Sequence, residues 1–153
     1  MGWYDSIKRY IWDDETTPHL IRVDGLSKSQ ARKELFVYTL FLSILFALIA
    51  LVSLTGAKSG ADFNSFGIAI YAFSVFCSAV VLGMNKVYAA AVYAASAPLA
   101  VFLYILADGL GASHGTAETV GLLIFSALWF RYALRINSIT KAYPAMRDQS
   151  DQP

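Results

Sequence analysis

Charged side chains are almost missing from the middle of this sequence. Between residues 35 and 107 the only ones are Lys58, Asp62 and Lys86. They divide the region into apolar runs long enough to cross a bilayer, which takes about 20 residues. The chain as a whole is 57% hydrophobic, above the roughly 45–50% of a soluble domain. The sequence therefore predicts an integral membrane protein.

Cysteine and histidine are also scarce. Cys77 is the single cysteine, which excludes an intramolecular disulfide, a CxxC redox motif and a cysteine-rich metal site. The two histidines, His19 and His114, lie outside the apolar runs and, in the orientation argued below, on opposite sides of the membrane. A haem held by two facing histidines does not fit this arrangement, and we expect neither a metal nor a cofactor.

The chain lacks an excess of either charge. Its 12 basic side chains nearly match its 11 acidic ones. No stretch combines dense Lys and Arg with aromatic rings on which bases would stack. Nucleic acid is therefore not an expected partner.

What the sequence does contain is a set of four apolar segments, each long enough to span a membrane as an α-helix. The four expected transmembrane helices cover residues 35–54, 66–84, 87–107 and 117–134. The predicted fold class is all-α, an integral membrane protein with four transmembrane helices plus an N-terminal amphipathic interfacial helix. Residues 1–34 are expected to form a cytoplasmic N-terminal segment, 35–136 the four-helix transmembrane domain and 137–153 a polar C-terminal tail.

The amphipathic helix is predicted within residues 2–12. Helical spacing places Trp3, Ile7, Tyr10 and Ile11 on one face. Trp and Tyr are favoured in the headgroup zone of a bilayer, so this face suits a membrane surface. It suits docking on a protein equally well, and the sequence leaves both open.

Polar residues mark the expected helix starts. Ser27 and Gln30 form a capping box, from which a helix should run directly into the first span. Asn64 or Ser65 is expected to cap the second span, and Thr116 the fourth.

Basic residues flank the spans unevenly. The N-terminal side of span 1, the turn between spans 2 and 3 and the C-terminal side of span 4 are basic, whereas loop 1–2 has only Lys58 and loop 3–4 has no Lys or Arg. The positive-inside rule then predicts both ends in the cytoplasm, and we expect a bacterial inner membrane. This basic set has two interpretations: a topology signal alone, or contacts to the headgroups of anionic phospholipid. The residues concerned are Lys28, Arg32, Lys33, Arg131 and Arg135.

Small residues at four-residue spacing recur in spans 2 and 3, where they let helix backbones approach closely. Pro98 lies in the middle of span 3 and should kink it, because it removes a backbone donor to the Ala94 carbonyl. The set serves either packing between spans 2 and 3 or contact with another subunit. It comprises Ser74, Ser78, Gly83, Ala90, Ala94 and Pro98.

Three functions follow as hypotheses. No ionisable residue lies at the middle of a span, which argues against proton-coupled transport. We therefore expect a non-enzymatic accessory or structural subunit, or an assembly factor, of a larger membrane complex, with other integral membrane subunits as partners.

The alternative is a small-solute transporter or channel with a neutral pore near Pro98, Ser96, Ser74 and Ser78. A lipid-acting enzyme is the weakest hypothesis, because no two of its candidate groups share a face. Those groups are Asp24, Glu34, Asp108, His114 and Glu118.

Overall fold

The structure is a computed structural model that describes residues 22–58, 63–108 and 115–146. Within these ranges all regular structure is helical. The α-helices are α1 (Lys28–Lys58), α2 (Phe63–Asn85), α3 (Tyr88–Ala94), α4 (Ser96–Asp108) and α5 (Thr116–Ala142), with short 3₁₀ turns at Val23–Gly25 and Tyr143–Ala145.

Four helical stretches are long and apolar enough to cross a membrane. They are α1, α2, the stretch formed by α3 and α4 together, and α5. Their positions confirm the four apolar spans expected from the sequence. The predicted N-terminal amphipathic helix, and the part of the polar tail after Met146, lie outside the described residues.

The capping box at the start of α1 is confirmed. The backbone N–H of Ser27 donates to Gln30 Oε1 at 3.1 Å, and the N–H of Gln30 donates to Ser27 Oγ at 3.3 Å. The other two expected caps are wrong. The second helix begins at Phe63, ahead of Asn64, and Gly115 in an extended conformation precedes Thr116, which is already helical. Gly serves as an N-cap nearly as well as Thr, so composition did not distinguish the two positions.

Two helices extend well beyond the length of a span. At 31 residues, α1 is about 46 Å long, whereas the 23 residues of α2 give about 34 Å. Gly83 near the end of α2 faces Thr39 of α1. The first three turns of α1 therefore project past the end of α2, and the last turns of α5, which pair with them, project at the same end.

The turn from α2 to α3 is as short as expected and is built on Lys86. This residue adopts a left-handed conformation (φ 53°), and its N–H donates to the Leu82 carbonyl at 2.9 Å. Its ammonium group lies 3.4 Å from the carbonyls of Gly83 and Met84. A cation at the end of a helix is favoured by the helix dipole and offsets the strain of the backbone.

The third stretch is interrupted where the sequence predicts a kink. α3 ends at Ala94, Ala95 forms a turn and α4 begins at Ser96, two residues before Pro98. Proline has no N–H and its ring clashes with the carbonyl four residues earlier, which accounts for the break.

The helices pack as an antiparallel bundle in which α1 lies along α2, α2 contacts α3, and α5 contacts both α3 and α4. Contact between α1 and α5 is confined to few residues. The core residues between the helices are mostly small or aliphatic, such as Leu42, Val75, Ala79, Ala94 and Ile136.

Candidate functional site at the basic end of the bundle

A buried ion pair joins the first and last helices. Glu34 of α1 is only 1% exposed and receives two hydrogen bonds from Arg135 of α5, from Nε at 2.8 Å and from Nη2 at 3.3 Å. This two-pronged geometry is the strong form of an arginine–carboxylate contact. The pair compensates both charges and fixes the level of α5 along α1 where these two helices otherwise touch little.

Aromatic rings surround the ion pair. The Tyr132 hydroxyl, one turn away on α5, hydrogen-bonds to the Glu34 carboxylate, and the Tyr132 ring meets Tyr38 edge-on at 5.7 Å. One turn further along, Trp129 packs edge-on against Phe41 at 6.0 Å. The Tyr38 hydroxyl and the Trp129 indole N–H are buried beside each other. These contacts extend the α1–α5 interface toward the centre of the bundle.

A groove of about 410 Å³ opens on the outer side of α5 at this end. The 3₁₀ turn that precedes α1 forms one wall through Val23, and α5 forms the other. The described residues that line it are Val23, Leu128, Arg131, Tyr132 and Arg135. Arg131 is exposed, whereas the Arg135 guanidinium is held by Glu34.

Several other basic residues of the described part of the chain lie at the same end of the bundle. Arg32 Nε donates to Tyr143 Oη at 3.4 Å, and the Lys86 ammonium lies 5.7 Å from the centre of the same ring. Tyr143 therefore connects α1, the α2–α3 turn and the end of α5. Lys28 and Lys33 occupy the first two turns of α1. All five residues expected to contact headgroups thus lie at one end, although only Arg131 and Arg135 line the groove.

The residues considered for a lipid-acting enzyme do not come together where the structure describes them. Asp24 is exposed in the 3₁₀ turn, Glu34 is engaged by Arg135, and Glu118 is exposed at the opposite end of the bundle. The side chains of Asp108 and His114 lie outside the described residues. Within residues 22–58, 63–108 and 115–146, no three His, Cys, Asp or Glu side chains are grouped as metal ligands would be.

A row of hydroxyl groups connects α2 with α3 and α4. The hydroxyls of Tyr71 and Ser96 lie 3.0 Å apart, and those of Ser74 and Tyr93 lie 2.6 Å apart. Ser74 Oγ also donates to the Tyr71 carbonyl at 2.7 Å, and Ser78 Oγ donates to the Ala90 carbonyl at 2.8 Å. The residues suggested for a neutral pore are therefore neighbours, and their hydroxyls bond to one another or to backbone carbonyls.

The six small residues singled out in spans 2 and 3 occupy different environments. Ala94 and Pro98 are fully enclosed, and Ser78 is bonded across to α3. Gly83 lets α1 approach, since a Cβ there would lie 3.1 Å from Thr39 Oγ1. Ser74 instead lies toward the outer surface beside Tyr93, whose side chain is 43% exposed.

The Glu34–Arg135 pair is the feature that sequence reasoning missed. Glu34 stands just before the first predicted span and Arg135 just after the fourth. Because both positions were predicted on the same side of the membrane, the sequence already placed these opposite charges at a similar depth. Comparison with protein-family models, with curated proteins and with solved structures gave no match for this chain.

Proposed function

We propose that this chain is a structural subunit or assembly factor of a larger membrane complex, inserted in a bacterial inner membrane with both ends in the cytoplasm. The clustering of Lys28, Arg32, Lys33, Lys86 and Lys141 at one end of the bundle supports this orientation, because basic residues stay on the cytoplasmic side. The roughly 34 Å length of α2 suits a hydrocarbon core of about 30 Å. The projecting ends of α1 and α5 then reach into the cytoplasmic headgroup zone.

The observation that carries the proposal is the hydroxyl pair of Ser74 and Tyr93 on the outer surface of α2 and α3. Ser74 lies at the midpoint of α2, so this pair sits near the middle of the membrane. Polar groups at this depth are disfavoured against lipid tails and commonly face protein. In addition, only 22–33% of each span's apolar window is buried within the chain, which leaves a large lateral surface for neighbours.

Site-specific photo-crosslinking tests the position of the partner. We expect a benzophenone amino acid at Tyr93 to crosslink to a discrete integral membrane protein in intact membranes. The matched control is the same substitution at Phe125, which is 56% exposed on α5 and should give lipid adducts only. Equal yields of protein adducts at the two sites would contradict a partner on the α2–α3 face.

Co-purification after mild detergent extraction tests the assembly itself. A subunit should migrate with its partners at a mass well above its own. A chain that always migrates alone at its own mass would refute the proposal. Membrane fractionation of the source cells checks the inner-membrane location in the same preparation.

A small-solute channel or transporter is the second candidate. The observation that favours it is the interruption of the third span at Ala95 beside the hydroxyl row, because broken helices are common at solute sites in transporters. Flux through liposomes that contain the purified protein would test it. Flux that falls in Pro98→Ala would support a gate at the break, and no flux of any neutral solute tested would exclude this candidate.

A further inference from the structure

We propose that the groove between the Val23–Gly25 turn and α5 binds the phosphate of an anionic phospholipid. The inference rests on the proposed membrane insertion and orientation, but not on the identity of any partner protein. It assigns a ligand to one of the five basic residues in particular, Arg131.

Charge supports this assignment. Arg131 is exposed and makes no hydrogen bond or ion pair within the described part of the chain, whereas Arg135 is compensated by Glu34. Among the described residues no carboxylate lines the groove, and Asp24, next to Val23, is exposed outside it. The groove therefore carries one uncompensated guanidinium, a group that matches the geometry of phosphate oxygens.

The depth of Arg131 in the membrane also supports a phospholipid ligand. Glu34 and Arg135 lie about 7 Å beyond the Thr39–Gly83 contact near the end of α2, which places them in the headgroup zone. Arg131 is one turn, about 6 Å, closer to the membrane centre, at the boundary of the hydrocarbon core. A long Arg side chain at this depth extends toward the headgroups.

The remaining lining favours a lipid over a free phosphate ion. Leu128 lies one turn deeper than Arg131 on the same helix, is 62% exposed and lines the same groove. A ligand with its phosphate at Arg131 would pass its acyl chain over Leu128. This order of polar and apolar contacts is that of a phospholipid entering a bilayer.

Native mass spectrometry of the purified chain tests the proposal with phosphatidylglycerol and phosphatidylcholine as probes. We expect wild type to retain phosphatidylglycerol in preference to phosphatidylcholine, and Arg131→Gln to lose about tenfold of that retention, in line with a charge-assisted contact. Arg131→Lys should recover part of it. Lys141→Gln is the matched control, since it removes one positive charge from the same helix and end but outside the groove.

Two results would overturn the proposal. Equal losses in Arg131→Gln and Lys141→Gln would show general attraction to a basic surface. Full displacement of phosphatidylglycerol by millimolar inorganic phosphate would show a free-anion site. Circular dichroism on each variant verifies that the helices are intact. Because the measurement uses the isolated chain, its outcome is independent of whether Tyr93 crosslinks to a partner.

Discussion

At the residue scale, Glu34 shows how burial changes the role of an ionisable group. Its carboxylate would be costly to remove from water alone, and the bidentate contact from Arg135 makes its burial tolerable. The gain is specificity of position, because a one-turn slip of α5 along α1 would leave both charges without their partner.

We expect Arg135→Gln to destabilise the chain more than Glu34→Gln. The first change leaves a carboxylate with 0% side-chain exposure, whereas the second leaves a guanidinium that is 21% exposed and can reach water. The loss in Arg135→Gln should lie near the lower end of the about 3–5 kcal/mol that breaking a buried pair costs. Unfolding in mixed detergent micelles measures it.

The double variant Glu34→Gln/Arg135→Gln completes the cycle. It should recover part of the loss, because two neutral side chains can bond to each other and no buried charge remains. Losses that simply add would show that the two groups do not interact.

A second residue-scale prediction concerns Gly83. Leucine there would collide with Thr39, whose Oγ1 would lie 3.1 Å from the new Cβ. The strain should lower the free energy of unfolding by about 1–3 kcal/mol. Gly67→Leu is the control on the same helix, since no atom lies within 4 Å of a Cβ at that position, and it should change stability by less than about 0.5 kcal/mol.

At the scale of the elements, the hydroxyl row holds the interrupted third stretch against α2. The break at Ala95 interrupts the helical hydrogen bonding of that stretch. The Tyr71–Ser96 and Ser74–Tyr93 contacts lie on either side of the break. Interhelical hydrogen bonds of this kind are individually weak within a membrane. Their value here is that they fix the position of two short helices relative to a long one.

We expect Tyr71→Phe to lower the free energy of unfolding by about 0.6 kcal/mol, the typical size of one such bond. Tyr104→Phe is the matched control, because Tyr104 of α4 is 64% exposed, and removal of its hydroxyl should leave the free energy of unfolding almost unchanged. Combining Tyr71→Phe with Ser96→Ala should add little to the loss. Equal effects of the two tyrosine variants would refute a contribution from the Tyr71–Ser96 bond.

At the scale of the whole molecule, the two ends of the bundle differ in charge. The end with the α2–α3 turn carries most of the basic residues, whereas Glu118 lies at the other. In the proposed membrane insertion this difference would set the orientation, because moving the basic end across would take many charges through a low-dielectric layer.

Cysteine labelling checks this orientation. In a Cys77→Ala background, a membrane-impermeant maleimide should label Glu118→Cys from outside intact spheroplasts, and Asn85→Cys only after permeabilisation. Both positions are exposed in the structure, so protection reports the side of the membrane. The reverse pattern would contradict cytoplasmic ends.

The sequence by itself determined the helical class, the positions of the four spans, the capping box at Ser27 and the break near Pro98. These features depend on local physics. The apolar runs have the length that a bilayer requires, the Ser27 side chain accepts a bond from a nearby backbone N–H, and Pro98 has no N–H to continue the helix. The helix starts at Phe63 and Thr116 were placed wrongly, because several adjacent residues cap almost equally well.

Only the tertiary structure decided which charges compensate each other. Glu34 and Arg135 are 101 residues apart in the chain. From the sequence, Glu34 was considered for a lipid-acting enzyme and Arg135 for headgroup contact, and only the packing of the helices pairs them. The same holds for the approach of Gly83 to Thr39 and for the outward position of Ser74. Such contacts depend on the rotation of each helix about its own axis. A helix that is apolar on all sides has no single apolar face, so its sequence does not show which side packs against its neighbours.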